Sequence, residues 1–330
     1  LRPQHPSRKI PWGSSMKVFS KEQIISQLNL EQAVQRLEEG FVAFSAGKVQ
    51  VPPVQAFAFT AANGDCCVKS AYVEGSDTFT VKISTGFYDN PSKGLESNDG
   101  LMMVLSARTG RPLALMQDEG WLTCIRTALA GRIAARLLAP KNVKAIGILG
   151  AGMQARMQLE QLGAVTTCRK VIVWGRSEPE LEAYKAFATE LGYQVQTTKN
   201  AADVARAANL IVSATPSREP LLMSEWVQPG THITAVGADA AGKQELDAAL
   251  VARADRIIVD SIYQCSQYGE ISHALNAGLI GESQLAELGA LLAGKVRGRE
   301  NDDQITLVDL TGVAVQDAQI SSCALASMQG

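Results

Sequence analysis

From about residue 143 to 310, apolar runs of strand length alternate with segments of helical period. The runs are KAIGILG (144–150), KVIVWG (170–175), YQVQT (193–197), NLIVSAT (209–215), HITAVG (232–237) and RIIVDS (256–261). Between them lie MQARMQLEQLGA, EPELEAYKAFATELG and ELDAALVARA, whose apolar residues recur at helical spacing. Runs apolar on both faces predict a parallel sheet covered by helices on both sides.

The preceding part is patterned differently. EQIISQLNLEQAVQRLEEGFVAFSAG (22–47) predicts two helices with a break near Asn29. Strand-like segments follow around QAFAF, CCVKSAYV, FTVKISTGF, GLMMVLSA and PLALMQD, which predict an antiparallel α+β unit. WLTCIRTALAGRIAARLLAP (121–140) reads as a helix that Pro140 ends. The tail GVAVQDAQISSCALASM (312–328) is helical again and is expected to pack back onto the first unit.

Within the alternating region, GILGAGMQA sets Gly150 and Gly152 directly after an apolar strand and before a helix, with Ala155 as the third small residue. This order suits a dinucleotide. Gly150 permits the tight turn, Gly152 lets backbone approach a pyrophosphate, and the helix N-terminus offers free N–H groups. The next strand ends in Trp174-Gly175-Arg176-Ser177, without the acid that holds an NAD ribose. Arg176 and Ser177 suit a 2′-phosphate, which favours NADPH over NADH or NAD+; Glu178 comes slightly late for the ribose role.

Composition narrows the classes. The 330 residues are 46% hydrophobic and 19% charged, enough for one large core or two ordinary ones. A net charge of −2 gives no electrostatic case for nucleic acid or an anionic membrane. Runs such as Ala145–Leu149 fall far short of the ~20 residues of a membrane span. Cys66, Cys67, Cys124, Cys168, Cys265 and Cys323 form no CxxC pair, and only His5, His232 and His273 accompany them. No metal site is expected, and scattered thiols suit the cytoplasm. Residues 1–15 precede a Met16 that reads as a natural start, and are treated as a leader or expression extension outside the fold.

Candidate chemistry rests on a few charged residues. In FTVKISTGF, Lys82 alternates onto one strand face with Thr80 and Ser84. Arg126 in TCIRTALAG stands near a helix start, where a cation opposes the dipole unless an anion binds there. Lys69 in CCVKSAYV is a third strand cation. Asp239 sits in the Gly/Ala-rich loop of TAVGADAAGKQELD, ahead of a helix-like segment opening at Glu245. A turn-capping Asp is the plain alternative there. His232 opens a buried strand and His273 lies on a helical face; neither has a partner that marks it as a catalytic base.

GADAAGKQELD, GILGAGMQA, SATPSREPLL, CIRTALAG and GRENDDQITLVDLTGVAVQD together resemble the ornithine cyclodeaminase/μ-crystallin family, which includes ketimine reductases and archaeal-type alanine dehydrogenases. The resemblance runs from about Val18 to Met328. It implies an α/β homodimer in which a Rossmann NAD(P)-binding domain (138–310) is inserted in an α+β substrate-binding and dimerisation domain (16–137 plus 311–330). It implies catalytic roles for Lys82 and Asp239, and substrate-carboxylate binding by Arg126. It also places Thr311 and Gly312 at the substrate and Gly150, Gly152, Met153, Gln154, Thr127, Ala214, Thr215 and Val236 at the cofactor. Many members carry a basic residue after the turn near VPPVQ; here Val54 or Gln55 stands there, and Lys69 is the candidate replacement.

Three activities follow from that resemblance. One is NAD(P)H-dependent reduction of a cyclic or linear imino acid, such as Δ1-pyrroline-2-carboxylate or Δ1-piperideine-2-carboxylate, to an L-amino acid, with alanine dehydrogenase-like reductive amination as a variant. The second is redox-neutral conversion of ornithine to proline plus ammonia with NAD+ recycled. The third is a non-catalytic NADPH-dependent ligand binder of μ-crystallin type, disfavoured because Lys82 and Asp239 are both present.

Overall fold

A computed structural model describes residues 16–329, so the segment 1–15 lies outside the described residues. All six apolar runs between 143 and 261 form strands of one sheet. They are Ile146–Leu149, Lys170–Trp174, Gln194–Thr198, Leu210–Ser213, His232–Ala235 and Arg256–Val259. Leu285–Glu287 and Thr306–Asp309 complete eight strands, and every pairing is parallel. Strand Thr306–Asp309 inserts between His232–Ala235 and Arg256–Val259, although it is late in the chain. Ile146–Leu149 lies between Lys170–Trp174 and Leu210–Ser213, so connections leave it in opposite directions. A ligand crevice is expected outside the carboxyl ends of strands at such a reversal.

The second sheet runs in the order Lys17–Ser20, Pro112–Gln117, Asn98–Ser106, Thr78–Phe87, Gly64–Val73. Val49–Gln50 and Gln55–Phe59 both pair with the far side of Gly64–Val73. One pairing departs from the expected antiparallel pattern: Lys17–Ser20 is parallel to Pro112–Gln117. Its chain enters helix Lys21–Gln27 at once, through a Ser20/Gln23 capping box, so it cannot turn back as a hairpin.

Helices Leu30–Ser45, Trp121–Leu138 and Ala314–Ser327 cover one face of this sheet. Phe41, Leu37, Met102, Met116, Leu129, Ile133 and Ile320 form its core. The last helix packs on Leu30–Ser45 and on strand Gly64–Val73, as the tail pattern predicts. The opposite sheet face remains apolar yet open. Phe57 is 53% exposed and Phe59 44%, with Val51, Val54 and Ile83 also exposed. Strand Thr78–Phe87 thus inverts the usual alternation: Thr80 and Lys82 point inward and are buried, while Ile83 points out. Among the described residues no helix is long and apolar enough to cross a membrane.

Candidate active site

The sheet register sets Lys69 directly opposite Lys82, and Lys82 opposite Met102 on the face that the helices cover. Like charges facing across two strands repel, and Lys82 is only 2% exposed. The counter-charge comes from helix Ala314–Ser327. Lys82 Nζ lies 3.0 Å from Asp317 Oδ2 and 3.1 Å from Oδ1. The same Oδ1 accepts from Arg126 Nε at 3.1 Å, while Arg126 Nη1 donates to Gln316 Oε1 at 3.1 Å. One buried carboxylate therefore serves two buried cations.

Gly312 closes this cluster from above. Lys69 Nζ donates to its carbonyl at 3.3 Å. Gly312 has φ +82°, and a Cβ built there would lie 2.7 Å from Arg126 Nη1 and 3.0 Å from Nη2. Only glycine lets backbone rest on the guanidinium in that conformation. Asp260 fixes the turn by accepting from Thr311 N, Thr311 Oγ1 and Gly312 N at 2.9, 3.0 and 2.7 Å. Gln264 Nε2 donates to Thr311 Oγ1 at 3.0 Å and to the Gly312 carbonyl at 3.3 Å.

Burial lowers the Lys82 ammonium to about 8, against the pull of Asp317 in the other direction. Burial works upward on Asp317 too, but the charges of Lys82 and Arg126 prevail and hold its carboxyl below the usual range. Asp118 stands two residues beyond Met116 on the same sheet face, and burial pushes it up to about 6. Its Oδ2 accepts from Leu122 N at 2.7 Å, while Oδ1 has no partner among the described residues.

The glycine loop has the form its pattern predicts. Gly150 has φ +114°, and a Cβ there would lie 2.7 Å from the Ala214 carbonyl and 3.2 Å from Thr215 Cγ2. A Cβ on Gly152 would meet nothing within 4 Å, so that side of the loop is open. Helix Met153–Leu162 has no side-chain cap, which leaves its first N–H groups for an anion. An open approach beside an uncapped helix end fits a pyrophosphate. Gln154 Nε2 reaches the Cys124 carbonyl at 3.2 Å, and Gln158 Nε2 reaches the Thr127 carbonyl at 3.2 Å. The loop helix is thereby tied to the helix that bears Arg126. Val236 N donates to the Ser213 carbonyl at 2.9 Å, at the same carboxyl edge as Ala214 and Thr215. Arg176 is exposed past strand Lys170–Trp174. Ser177 Oγ already accepts from Glu180 N at 3.5 Å as a helix cap, and Glu178 pairs with Lys199 at 3.2 Å.

Asp239 and Lys82 do not pair with each other. Asp239 lies in an exposed loop, its Oδ1 2.6 Å from Lys243 Nζ. Burial and a hydrogen bond to Asp65 push the Tyr88 phenol up to about 12, with the Asp239 charge contributing. Burial raises Tyr268, again with Asp239 contributing. Both tyrosines also sense Cys67, two residues from Lys69. The expected helix opening at Glu245 begins instead at Ala248, capped by Asp247. Glu245 is fully buried because it accepts from Thr215 N, Gly237 N and Ser213 Oγ at 2.6, 2.9 and 2.8 Å. It anchors both the Ala214–Thr215 turn and the root of the Asp239 loop. Gln55 is not brought to the cations: it is exposed and pairs with Val68, on the sheet face opposite Lys69 and Lys82. His232 is structural, with both ring nitrogens on threonines, Thr306 and Thr234, at 2.9 Å, and burial lowers it to about 3.

The model of the family described as "Ornithine cyclodeaminase/mu-crystallin family" matches residues 15–326. The chain belongs to this family. An uncharacterized cyclodeaminase of Sinorhizobium fredii is 38% identical over 94% of this chain and 95% of its own length. A solved archaeal alanine dehydrogenase dimer with bound NAD is 34% identical, with TM-score 0.88 over 95% and 96% of the two chains. The Δ1-pyrroline-2-carboxylate reductase of Thermococcus litoralis, solved with NADH and L-proline, is 30% identical, with TM-score 0.89 over 95% and 98%.

Asp317, Asp260, Gln264 and Glu245 escape the sequence reading. For Asp317 a signal existed: it is the one acid in the apolar helix GVAVQDAQISSCALASM, where a carboxylate needs a buried cation to be tolerated. The partners of Asp260 and Gln264 are mainly backbone groups and a turn hydroxyl, with the Cys265 thiol also on Asp260, and no charge pattern reveals them.

Proposed function

We propose that the protein reduces a 2-imino acid, cyclic or linear, to an L-amino acid with NADPH. The observation that carries this reading is the cluster of Lys69, Lys82 and Arg126 around one carboxylate, Asp317. Its excess positive charge suits a substrate carboxylate. Arg126 and Lys69 bind that carboxylate beneath Gly312, and Thr311 shapes the turn. Lys82, as an ammonium, offers a proton or hydrogen bond to the substrate. Asp239 exchanges Lys243 for the substrate nitrogen and takes part in moving its proton.

Gly150, Gly152, Met153 and Gln154 hold the pyrophosphate at the helix end, with Thr127, Ala214, Thr215 and Val236 along the nicotinamide path. Arg176 meets the 2′-phosphate, and Ser177 does so only by sharing its capping hydroxyl. A dinucleotide held there would supply the hydride that the imine carbon needs. Support for a nicotinamide cofactor and an imino acid comes from the reductase that holds NADH and L-proline. The open apolar face with Phe57, Phe59 and Ile83 is assigned to a second copy of the chain; the similar archaeal alanine dehydrogenase was solved as a dimer.

A second reading, cyclisation of ornithine to proline with ammonia released, is favoured by the cyclodeaminase relative. One pair of assays separates the two. Incubation with Δ1-pyrroline-2-carboxylate, or with pyruvate plus ammonium, and NADPH or NADH should oxidise the cofactor. Ornithine with NAD+ should release no ammonia. Ammonia without net cofactor change would replace the reductase reading with the second.

A further inference from the structure

Arg126 and Lys82 reach the site from different elements, yet neither has another acidic partner among the described residues. Lys82 comes from strand Thr78–Phe87 and Arg126 from helix Trp121–Leu138; both end on Asp317 of helix Ala314–Ser327. We propose that Asp317 is a positioning residue that keeps the Lys82 side chain protonated and turns the Arg126 fork so that its Nη2 edge is left for a substrate carboxylate. This rests on the reading of Lys82 and Arg126 as proton and carboxylate groups.

The geometry has two parts. Asp317 accepts from Lys82 Nζ at Oδ1, 3.1 Å away, and sets Oδ2 at 3.0 Å in ion-pair contact without a hydrogen bond of its own, from a side chain that is 2% exposed. A lysine this buried, facing Lys69 across the sheet and near Arg126, is otherwise surrounded by cations that favour its neutral form. The other ionisable groups around it are Asp118, from the turn before Trp121, and the Cys67 and Cys124 thiols, which sense the Lys82 charge. Asp118 spends one oxygen on Leu122 N and is itself pushed up to about 6, so it is the weaker counter-ion.

Arg126 is oriented by the same helix. Nε is held by Asp317 and Nη1 by Gln316, while Gln316 Nε2 donates back to the Arg126 carbonyl at 3.3 Å. Among the described residues, Nη2 donates to no acceptor. Consecutive residues 316 and 317 thus grip one side of a planar fork, and a bidentate or end-on carboxylate has the remaining side.

The test compares Asp317→Asn and Asp317→Glu in the full-length protein. For Asp317→Asn, the alkaline limb of the kcat profile should move at least one pH unit toward acid, a loss of about fivefold or more at pH 8, and the imino acid KM should rise about tenfold. Asp317→Glu should restore the alkaline limb to within 0.3 unit while leaving KM raised. A purely structural Asp317 would lower thermal stability and leave the limb where it is; an unmoved limb in folded Asp317→Asn overturns the proposal. If Asp317→Asn does not fold, or if no substrate turns over, the wild-type protein still decides. The 13Cε signal of labelled Lys82, assigned by its loss in Lys82→Arg, should report an ammonium at pH 7. A neutral amine there overturns the proposal independently of the catalytic reading.

Discussion

Gly312→Ala perturbs the proposed carboxylate site without removing any of its charges. The backbone at 312 has φ +82°, where an ordinary L residue costs about 1–2 kcal/mol. The added Cβ would fall 2.7 Å from Arg126 Nη1 and 3.0 Å from Nη2, so the guanidinium has to move. It is held by Asp317 and Gln316, each at 3.1 Å, and giving up one such charged hydrogen bond costs about 1.5–3 kcal/mol. If Arg126 is the carboxylate fork, the displaced guanidinium should cost a similar ~1.5–3 kcal/mol of substrate binding, on the order of 10–100-fold in KM. The backbone strain alone should lower Tm by roughly 2–8 °C. The assay is steady-state reduction of Δ1-pyrroline-2-carboxylate beside a thermal melt of the same preparation. A Tm that falls by several degrees with KM within twofold of wild type refutes the reasoning, since Gly312 would then be a turn residue only.

Lys69→Ala should raise the imino acid KM about tenfold with kcat near wild type, measured by the same kinetics; an unchanged KM removes Lys69 from substrate binding. Asp239→Asn keeps the loop shape and should lower kcat by about 10²–10⁴-fold, the range for a lost proton-transfer group; a drop below threefold leaves Asp239 as a surface partner of Lys243. Arg176→Ala should reduce kcat/KM for NADPH about 10–100-fold and leave NADH within threefold, as expected for a lost charged contact to a 2′-phosphate; equal losses for both cofactors contradict that role. Stability should fall as pH rises from about 4.5 to 7. Burial raises Glu245 to about 7, and Glu270 and Asp309 are raised as well. In that window the unfolded chain has released protons that the folded one still holds, so the slope is negative. For Glu245 the upper bound is on the order of 3 kcal/mol at about 1.4 kcal/mol per pH unit. Melts between pH 5 and 8 check this, and Glu245→Gln should flatten the curve.

The parallel sheet was legible because each strand is apolar on both faces, and all six runs between 143 and 261 form strands. Strand Thr306–Asp309 is not legible as a strand in its own right. Its central place between His232–Ala235 and Arg256–Val259 depends on tertiary pairing with strands over 40 residues away. Lys82 was picked out by sharing a strand face with Thr80, yet that face is the buried one. Hydrophobic alternation misleads where the outward face of a sheet is itself apolar, here Phe57, Phe59 and Ile83. Glu245 illustrates the opposite error. Its sequence context favours a first-turn helical acid, but three donors from two strand ends draw it inside. Such convergence has no local signature.

The two halves of the proposed chemistry are joined by a short piece of chain. Strand Thr306–Asp309 lies inside the parallel sheet, and helix Ala314–Ser327 begins at residue 314 against the antiparallel one. Residues 310–313 make the crossing, and Gly312 rests on Arg126 within it. Buried carboxyls anchor this crossing from the parallel-sheet side: Asp309 accepts from Ile271 N at 3.1 Å, and Asp260 holds the backbone of Thr311 and Gly312. Asp317 therefore stands on a helix whose start is pinned to the sheet that carries the glycine loop. The same sheet holds Asp239 through Glu245 and Gly237. A carboxylate bound at Arg126 and a nitrogen bound at Asp239 would thus be spaced by one rigid sheet edge, while Lys82 is fixed to the other sheet only by its strand and by Asp317. The freedom left for exchange lies in the Asp239–Lys243 pair, the one exposed ion pair of the set, because a surface pair costs little to break.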